Sequence, residues 1–200
     1  MVCLAVWAAL AADGALGART ELARFAATQA ARPRPSPPGA ATPDLSLWEP
    51  KRIAAWREAL LTPGLPPIGV LRIPKVHIEA PLLPGTDDVT LNRGIGHIEG
   101  TALPGTDGNA GIAGHRDGFF RGLKDISPGD TIELETQQGR EVYRVERIWI
   151  VVPEDVSVLD PTPTRALTLV TCYPFYFVGP APQRLIVRAV RADSAPPESH

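Results

Sequence analysis

Prolines cut this chain into pieces too short for long helices. They make up 22 of its 200 residues, against a usual share of roughly 5%, and gather between Arg32 and Pro84 and again from Pro153 to Pro182. Each fixes φ and removes a backbone donor, so neither a helix nor a central strand runs through them. From Ile68 onward, what remains is a series of short β-branched runs bounded by Gly, Pro and Asp: VLRIP, VHIEAPLL, AGIAGH, DTIELET, REVYRVERIWIVV, ALTLVTC and RLIVRAV. From Asp130 to Val152, Ile132 and Leu134 alternate with charged residues, Gln138-Gly139 turns, and Val142, Val145 and Ile148 to Val152 return, which is a hairpin pattern. Seven or so such strands with few helices between them predict a mainly β domain, an antiparallel or mixed barrel or sandwich. Short helices are expected near Asp88 to Asn92 and near Phe119 to Lys124, and there is no internal repeat.

Ahead of that region the texture differs. Val2 to Ala12 (VCLAVWAALAA) is continuously apolar, but Asp13 and Gly14 interrupt it before the roughly 20 residues that cross a bilayer. It reads as a signal-peptide core, as a membrane anchor shortened by a wrongly chosen start, or as a buried amphipathic helix. TELARFAATQAA, Thr20 to Ala31, carries helix formers with Thr20 as cap, and reads as a stalk helix. RPRPSPPGAATP, Arg32 to Pro43, predicts an extended, semi-rigid tether. A second helix is expected in Leu47 to Leu61, with Ile53, Trp56 and Leu60 on one face and a stop at Pro63 to Pro67. The organisation is thus an anchor or leader over 1–19, a stalk and tether over 20–66, a β domain over 67–193 and a polar tail over 194–200.

Several function classes drop out. A net charge of -2 with no dense Lys/Arg cluster offers no field for nucleic acid. Two cysteines, Cys3 and Cys172, allow one bridge at most, so no disulfide framework exists. His77, His97, His115 and His200 are too far apart in sequence to form the short-spaced pairs of structural zinc sites. Cys172 is the thiol that needs an explanation.

It closes an apolar strand and is followed by Tyr173-Pro174, where the proline forces the chain out of regular structure. His115 closes AGIAGH among small residues and is followed by Arg116-Asp117-Gly118, a strand-to-loop setting that displays a side chain. Arg184 opens the last strand. A thiol becomes a nucleophile once deprotonated, and an imidazolium or guanidinium nearby favours the thiolate. Spacing alone does not bring the three together.

TLVTC at Thr168 to Cys172, GNAGIAGHRDGFF at Gly108 to Phe120 and APQRLIVRA at Ala181 to Ala189 resemble the sortases, membrane-anchored cysteine transpeptidases. GHRDGFF and LVTCYPF are most similar to the class D group, and the similarity spans roughly Ile68 to Val190. The resemblance implies an eight-stranded β-barrel. It implies Cys172 as the nucleophile on the Thr carbonyl of a C-terminal LPxTG-type or LPxTA-type sorting signal. His115 would protonate the leaving amine and deprotonate the incoming one, and Arg184 would position substrate and stabilise the oxyanion. Thr171 is expected to support that oxyanion, His97 to line the groove or its surroundings, Asp117 to orient His115 or its loop, and Tyr173 to wall the peptide groove. The implied partners are a substrate protein bearing the signal, an amine acceptor and the membrane through the N-terminus, with the catalytic domain on the extracytoplasmic side. The mechanism requires no cofactor; Asp87, Asp88, Asp107 and Asp117 are present, but Asp/Gly loops make turns far more often than they bind calcium.

Two other readings fit parts of the pattern. A cell-wall L,D-transpeptidase carries histidine beside its cysteine, where this chain has Thr171. A noncatalytic barrel with an inert Cys172 predicts slow, pH-insensitive alkylation.

Overall fold

The structure is a computed structural model that describes residues 43–176 and 180–192. The anchor or leader, the stalk helix, residues 32–42 of the tether, residue 193 and the polar tail over 194–200 lie outside the described residues. Eight strands close into a barrel in the order β1-β2-β3-β4-β7-β8-β6-β5. They are β1 (Gly69–Ile73), β2 (Ile78–Pro84), β3 (Ile95–His97), β4 (Asn109–Gly114), β5 (Thr131–Thr136), β6 (Gly139–Val151), β7 (Ala166–Tyr173) and β8 (Gln183–Arg191). Among the described residues the α-helices are α1 (Pro50–Ala59), ahead of β1, and α2 (Asp88–Arg93), between β2 and β3.

Alternation builds the interior. In β5, Ile132 and Leu134 are fully buried while Glu133 and Glu135, which alternate with them, are only partly so, the period of a strand with one core face. Leu71, Ile73, Leu82, Ile95, Ile112, Leu167, Leu169 and Val187 join them in one continuous cluster. Each such side chain removed from water contributes about 1.5–3 kcal/mol. The expected hairpin is β5 against β6, with Thr136 opposite Gly139 at its turn.

β4 and β7 differ, being buried on both faces. Their outer face lies under the connection that follows β6. Asn109 Nδ2 donates to the carbonyls of Val158 and Asp160 at 3.3 and 3.1 Å, and Arg188 Nη2 donates to Val158 at 2.7 Å. Thr168 Oγ1 donates to Asn109 Oδ1 at 2.6 Å beneath this roof.

The N-terminal part of the described chain packs on the barrel through aromatics. The Trp48 ring meets Phe119 edge-on at 4.8 Å and Trp56 at 6.3 Å. Pro50 starts α1, as its fixed φ favours at a first helical position. Ile53 and Trp56 pack against the core as expected, but Leu60 does not: the helix ends at Ala59 and Leu60 is exposed. The Asp87 carboxylate caps α2 by accepting from Thr90 N–H and Oγ1–H.

Three sequence expectations need correction. No strand candidate covers Gly94 to Thr101, yet Ile95–His97 is β3, paired parallel to β2 and antiparallel to β4. Tertiary pairing overrides the weak β-propensity of its glycine. His77, which VHIEAPLL places within a strand, instead follows a 3₁₀ turn at φ 53° and is exposed. The helix expected at Phe119 to Lys124 is a 3₁₀ turn over Arg121–Asp125.

Gly114, the last residue of β4, lies under the Phe120 ring: a Cβ there would sit 2.6 Å from Phe120 Cδ2. Phe120 is fully buried and has nowhere to retreat. Gly114→Ala is therefore expected to cost about 1–3 kcal/mol by overpacking, lowering the melting temperature by about 2–4 °C for each kcal/mol, as calorimetry would read.

Candidate active site

Strand direction does the assembling. β4 and β7 run parallel, with Ala113 opposite Val170 and Gly114 opposite Thr171. His115, one residue past β4, therefore emerges at the same edge as Cys172. β8 runs antiparallel to β7 and places Arg184 directly opposite Cys172.

Parity fixes the face. Ala110 and Ile112 on β4, Leu167 and Leu169 on β7, and Leu185, Val187 and Ala189 on β8 all point into the core. By alternation His115, Cys172 and Arg184 occupy the opposite, outer face of three adjacent strands. Ile186 on that face is fully buried, whereas Cys172, His115 and Arg184 beyond it are half-buried. Cys172 is a free thiol.

Among the described residues no hydrogen bond joins the sulfur, the imidazole and the guanidinium. Arg184 Nη1 donates to the carbonyls of Ala181 and Gln183 at 3.3 and 3.0 Å, holding the entry to its own strand. Catalytic groups often tighten only around a substrate, so the common face and edge carry more weight than these bonds.

The loop after His115 is firmly held. The Gly118 and Phe120 N–H groups both donate to the His115 carbonyl at 3.2 Å. Arg116 Nη1 donates to the Pro174 carbonyl at 2.8 Å and Arg121 Nη1 to that of Phe175 at 2.9 Å. Two arginines of the histidine loop thus grip the turn that follows the cysteine. Asp117 pairs with Arg52 of α1, Nε to Oδ1 at 3.0 Å. Burial holds the His115 imidazole below its ordinary pKa; the Arg52 guanidinium pushes the same way, and the carboxylates of Asp117 and Asp88 oppose both.

The supporting residues fall in different places. Thr171 is buried, and its hydroxyl donates to the Gly114 carbonyl at 2.7 Å. That hydroxyl is committed to locking β7 to β4, so the expected support of an oxyanion, by backbone or hydroxyl, would fall to the Thr171 backbone. His97 is buried, and its Nε2 lies 2.9 Å from the Ala102 carbonyl and 3.1 Å from Thr101 Oγ1. Thr101 spends its own hydroxyl proton on the Ile98 carbonyl, so Nε2 carries the donated hydrogen. Tyr173 faces the interior side of β7, away from the thiol, edge-on to Phe175 at 6.2 Å. Both line an apolar cavity of about 370 Å³ with Ile148, Ile150 and Leu185.

Arg52, Arg116 and Arg121 were not singled out in the sequence. A single arginine in a loop or on a helix carries no signal that separates a long-range clamp from ordinary surface charge. Asp87 caps a helix, Asp107 accepts from Arg165 and Asp117 pairs with Arg52. Among the described residues no cluster of His, Cys, Asp and Glu is able to hold a metal ion.

Residues 71–192 match the sortase domain family model. The chain is 36% identical over 124 residues to Sortase D of Bacillus subtilis (strain 168), covering 62% of this chain and 63% of that protein, so it spans just under two thirds of that relative. Among solved structures, a Clostridium perfringens Sortase D5 transpeptidase superposes with TM-score 0.59 at 28% identity, over 70% of this chain and 89% of that one. Sortase A from Corynebacterium diphtheriae gives TM-score 0.60 at 29% identity, over 78% and 91% of the two chains.

The His97 geometry makes a clear distinction testable. His97→Ala is expected to lower stability by about 1–3 kcal/mol, the cost of leaving a buried partner unpaired, while the alkylation rate of Cys172 by iodoacetamide stays near wild type. A large fall in thiol reactivity without loss of stability would move His97 into the site.

Proposed function

The chain belongs to the sortase family, and on that premise we propose that it is a cysteine transpeptidase. Its substrate is a protein carrying an LPxTG-like or LPxTA-like C-terminal sorting signal, which it cleaves after Thr and joins to an amine at the cell envelope. The observation that supports this reading best is the presentation of His115, Cys172 and Arg184 on one outer face, at one edge, of three adjacent strands.

The chemistry proceeds in two displacements. The Cys172 thiolate attacks the Thr carbonyl carbon and an oxyanion forms, which Arg184 stabilises once its guanidinium turns from the carbonyls of Ala181 and Gln183. His115 as imidazolium gives its proton to the departing amine, the C–N bond breaks, and a thioester remains. The imidazole so formed takes a proton from the incoming amine, which attacks the thioester and restores the thiolate. Only the thiolate–imidazolium pair starts the cycle. Burial of His115 makes its imidazolium scarcer at neutral pH but a stronger acid toward the leaving group.

Attachment to the membrane through the apolar N-terminal segment, with the barrel outside the cell, completes the proposal. Among the described residues no helix is long and apolar enough to cross a membrane, and the apolar segment lies outside them.

The test is incubation with fluorescent LPxTG and LPxTA peptides and an amine acceptor. Transfer product and a Cys172 adduct by mass spectrometry are expected for the wild type, with complete loss in Cys172→Ala. His115→Ala is expected to reduce kcat/KM by about 10²- to 10⁴-fold, the span of general acid–base contributions, and Arg184→Ala by about 10²- to 10³-fold. Near-normal turnover in the arginine variant would remove it from the mechanism, and hydrolysis alone with acceptor present would mark a protease.

A further inference from the structure

The matched family region begins at residue 71, yet α1, at Pro50–Ala59, reaches the histidine loop. Arg52 is its point of contact. Its Nε and Nη2 donate to the two carboxylate oxygens of Asp117 at 3.0 and 3.4 Å, while Nη1 donates to Asn92 Oδ1 on α2. The pair is largely withdrawn from water, with side chains 20% and 27% exposed. The Arg52 stem crosses Gly118: the position a Gly118 Cβ would take lies 3.5 Å from both Cγ and Cδ of Arg52 and 3.5 Å from the Cβ of His115. The Arg52 stem and the base of the His115 side chain therefore flank the same glycine.

We propose that Arg52 is a positioning residue for His115, its fork clamping the Asp117 loop to α2 so that the imidazole is held at the barrel edge beside Cys172. The role as a positioning residue for transfer rests on the reaction proposed above; the clamp itself does not. A fork is required because the planar guanidinium spans two acceptors on different elements at once, which one ammonium does not reproduce. The charges around the imidazole agree with the geometry. Arg52 on α1 disfavours the imidazolium, while Asp88 on α2 and Asp117 on the loop favour it; Arg116 follows the histidine in sequence, and β8 places Arg184 opposite Cys172 of β7. Loss of Arg52 removes a cation and loosens a loop that shields the ring, and both changes favour protonation.

The experiment follows the His115 imidazole by NMR titration in the full-length chain carrying Cys172→Ala, which uncouples it from the thiol, and measures peptide transfer in the chain that keeps Cys172. Arg52→Gln is expected to raise the titration midpoint and to lower kcat by about 10- to 100-fold with KM little changed, the effect of a misplaced rather than missing group. Arg52→Lys retains the cation without the fork, and is expected to give a midpoint between those of the wild type and Arg52→Gln while restoring turnover only in part. Trp56→Ala loosens α1 without touching the fork; it is expected to lower the melting temperature and leave the midpoint in place. An unchanged midpoint in Arg52→Gln, or an equal shift in Trp56→Ala, would overturn the proposal. If the wild type transfers no peptide, a raised midpoint in Arg52→Gln still supports the clamp while the proposed reaction fails; normal turnover with an unmoved midpoint removes the clamp and leaves the reaction standing.

Discussion

The parallel pairing of β4 with β7 is the constraint from which the rest follows. Parallel neighbours finish at the same edge, so the residue that leaves β4 and the residue that closes β7 arrive side by side although 57 positions separate Gly114 from Thr171. The Thr171 hydroxyl on the Gly114 carbonyl fixes that register from the core side. A one-residue slip would turn Cys172 inward and Thr171 outward, because side chains alternate along a strand. β8, antiparallel to β7, contributes the guanidinium to the same edge.

The outer face of these strands is divided into a covered part and an open part. Toward the start of β7, the connection after β6 seals Asn109, Thr168 and Arg188 beneath backbone carbonyls. Cys172 and its neighbours lie past that cover, half-buried. A reactive thiol needs such an intermediate setting, shielded enough for electrostatics to act strongly but reachable by a polypeptide. The arginine bonds to Pro174 and Phe175 then make the histidine loop and the cysteine turn one mechanical unit.

The barrel's strands were legible in the sequence where alternation was strong. DTIELET carries the period-two pattern of a strand with one wet face and formed; REVYRVERIWIVV also formed, but Val142 is exposed and a bulge between Val145 and Arg147 breaks its alternation. β3 was not legible: three residues with a glycine at the centre acquire strand geometry only from the neighbours that flank them. In the site, Cys172, His115 and Arg184 stood out because each closes or opens a strand beside a turn. The roles of Thr171 and His97 were not readable, since a hydroxyl's or an imidazole's partner depends on which carbonyl tertiary packing brings within 3 Å. Arg52 was least visible of all, as its partners lie 40 and 65 positions away.

Closure of the barrel has a consequence for recognition. Among the described residues β7 is paired with β4 and β8 from Ala166 to Thr171, so it offers no row of unpaired amides there to a visiting chain. A polypeptide approaching Cys172 would not join β7 as an extra strand, the route by which many domains hold extended peptides irrespective of their side chains. It would be read instead by loops and side chains laid across the sheet, which makes discrimination depend on the visitor's own sequence.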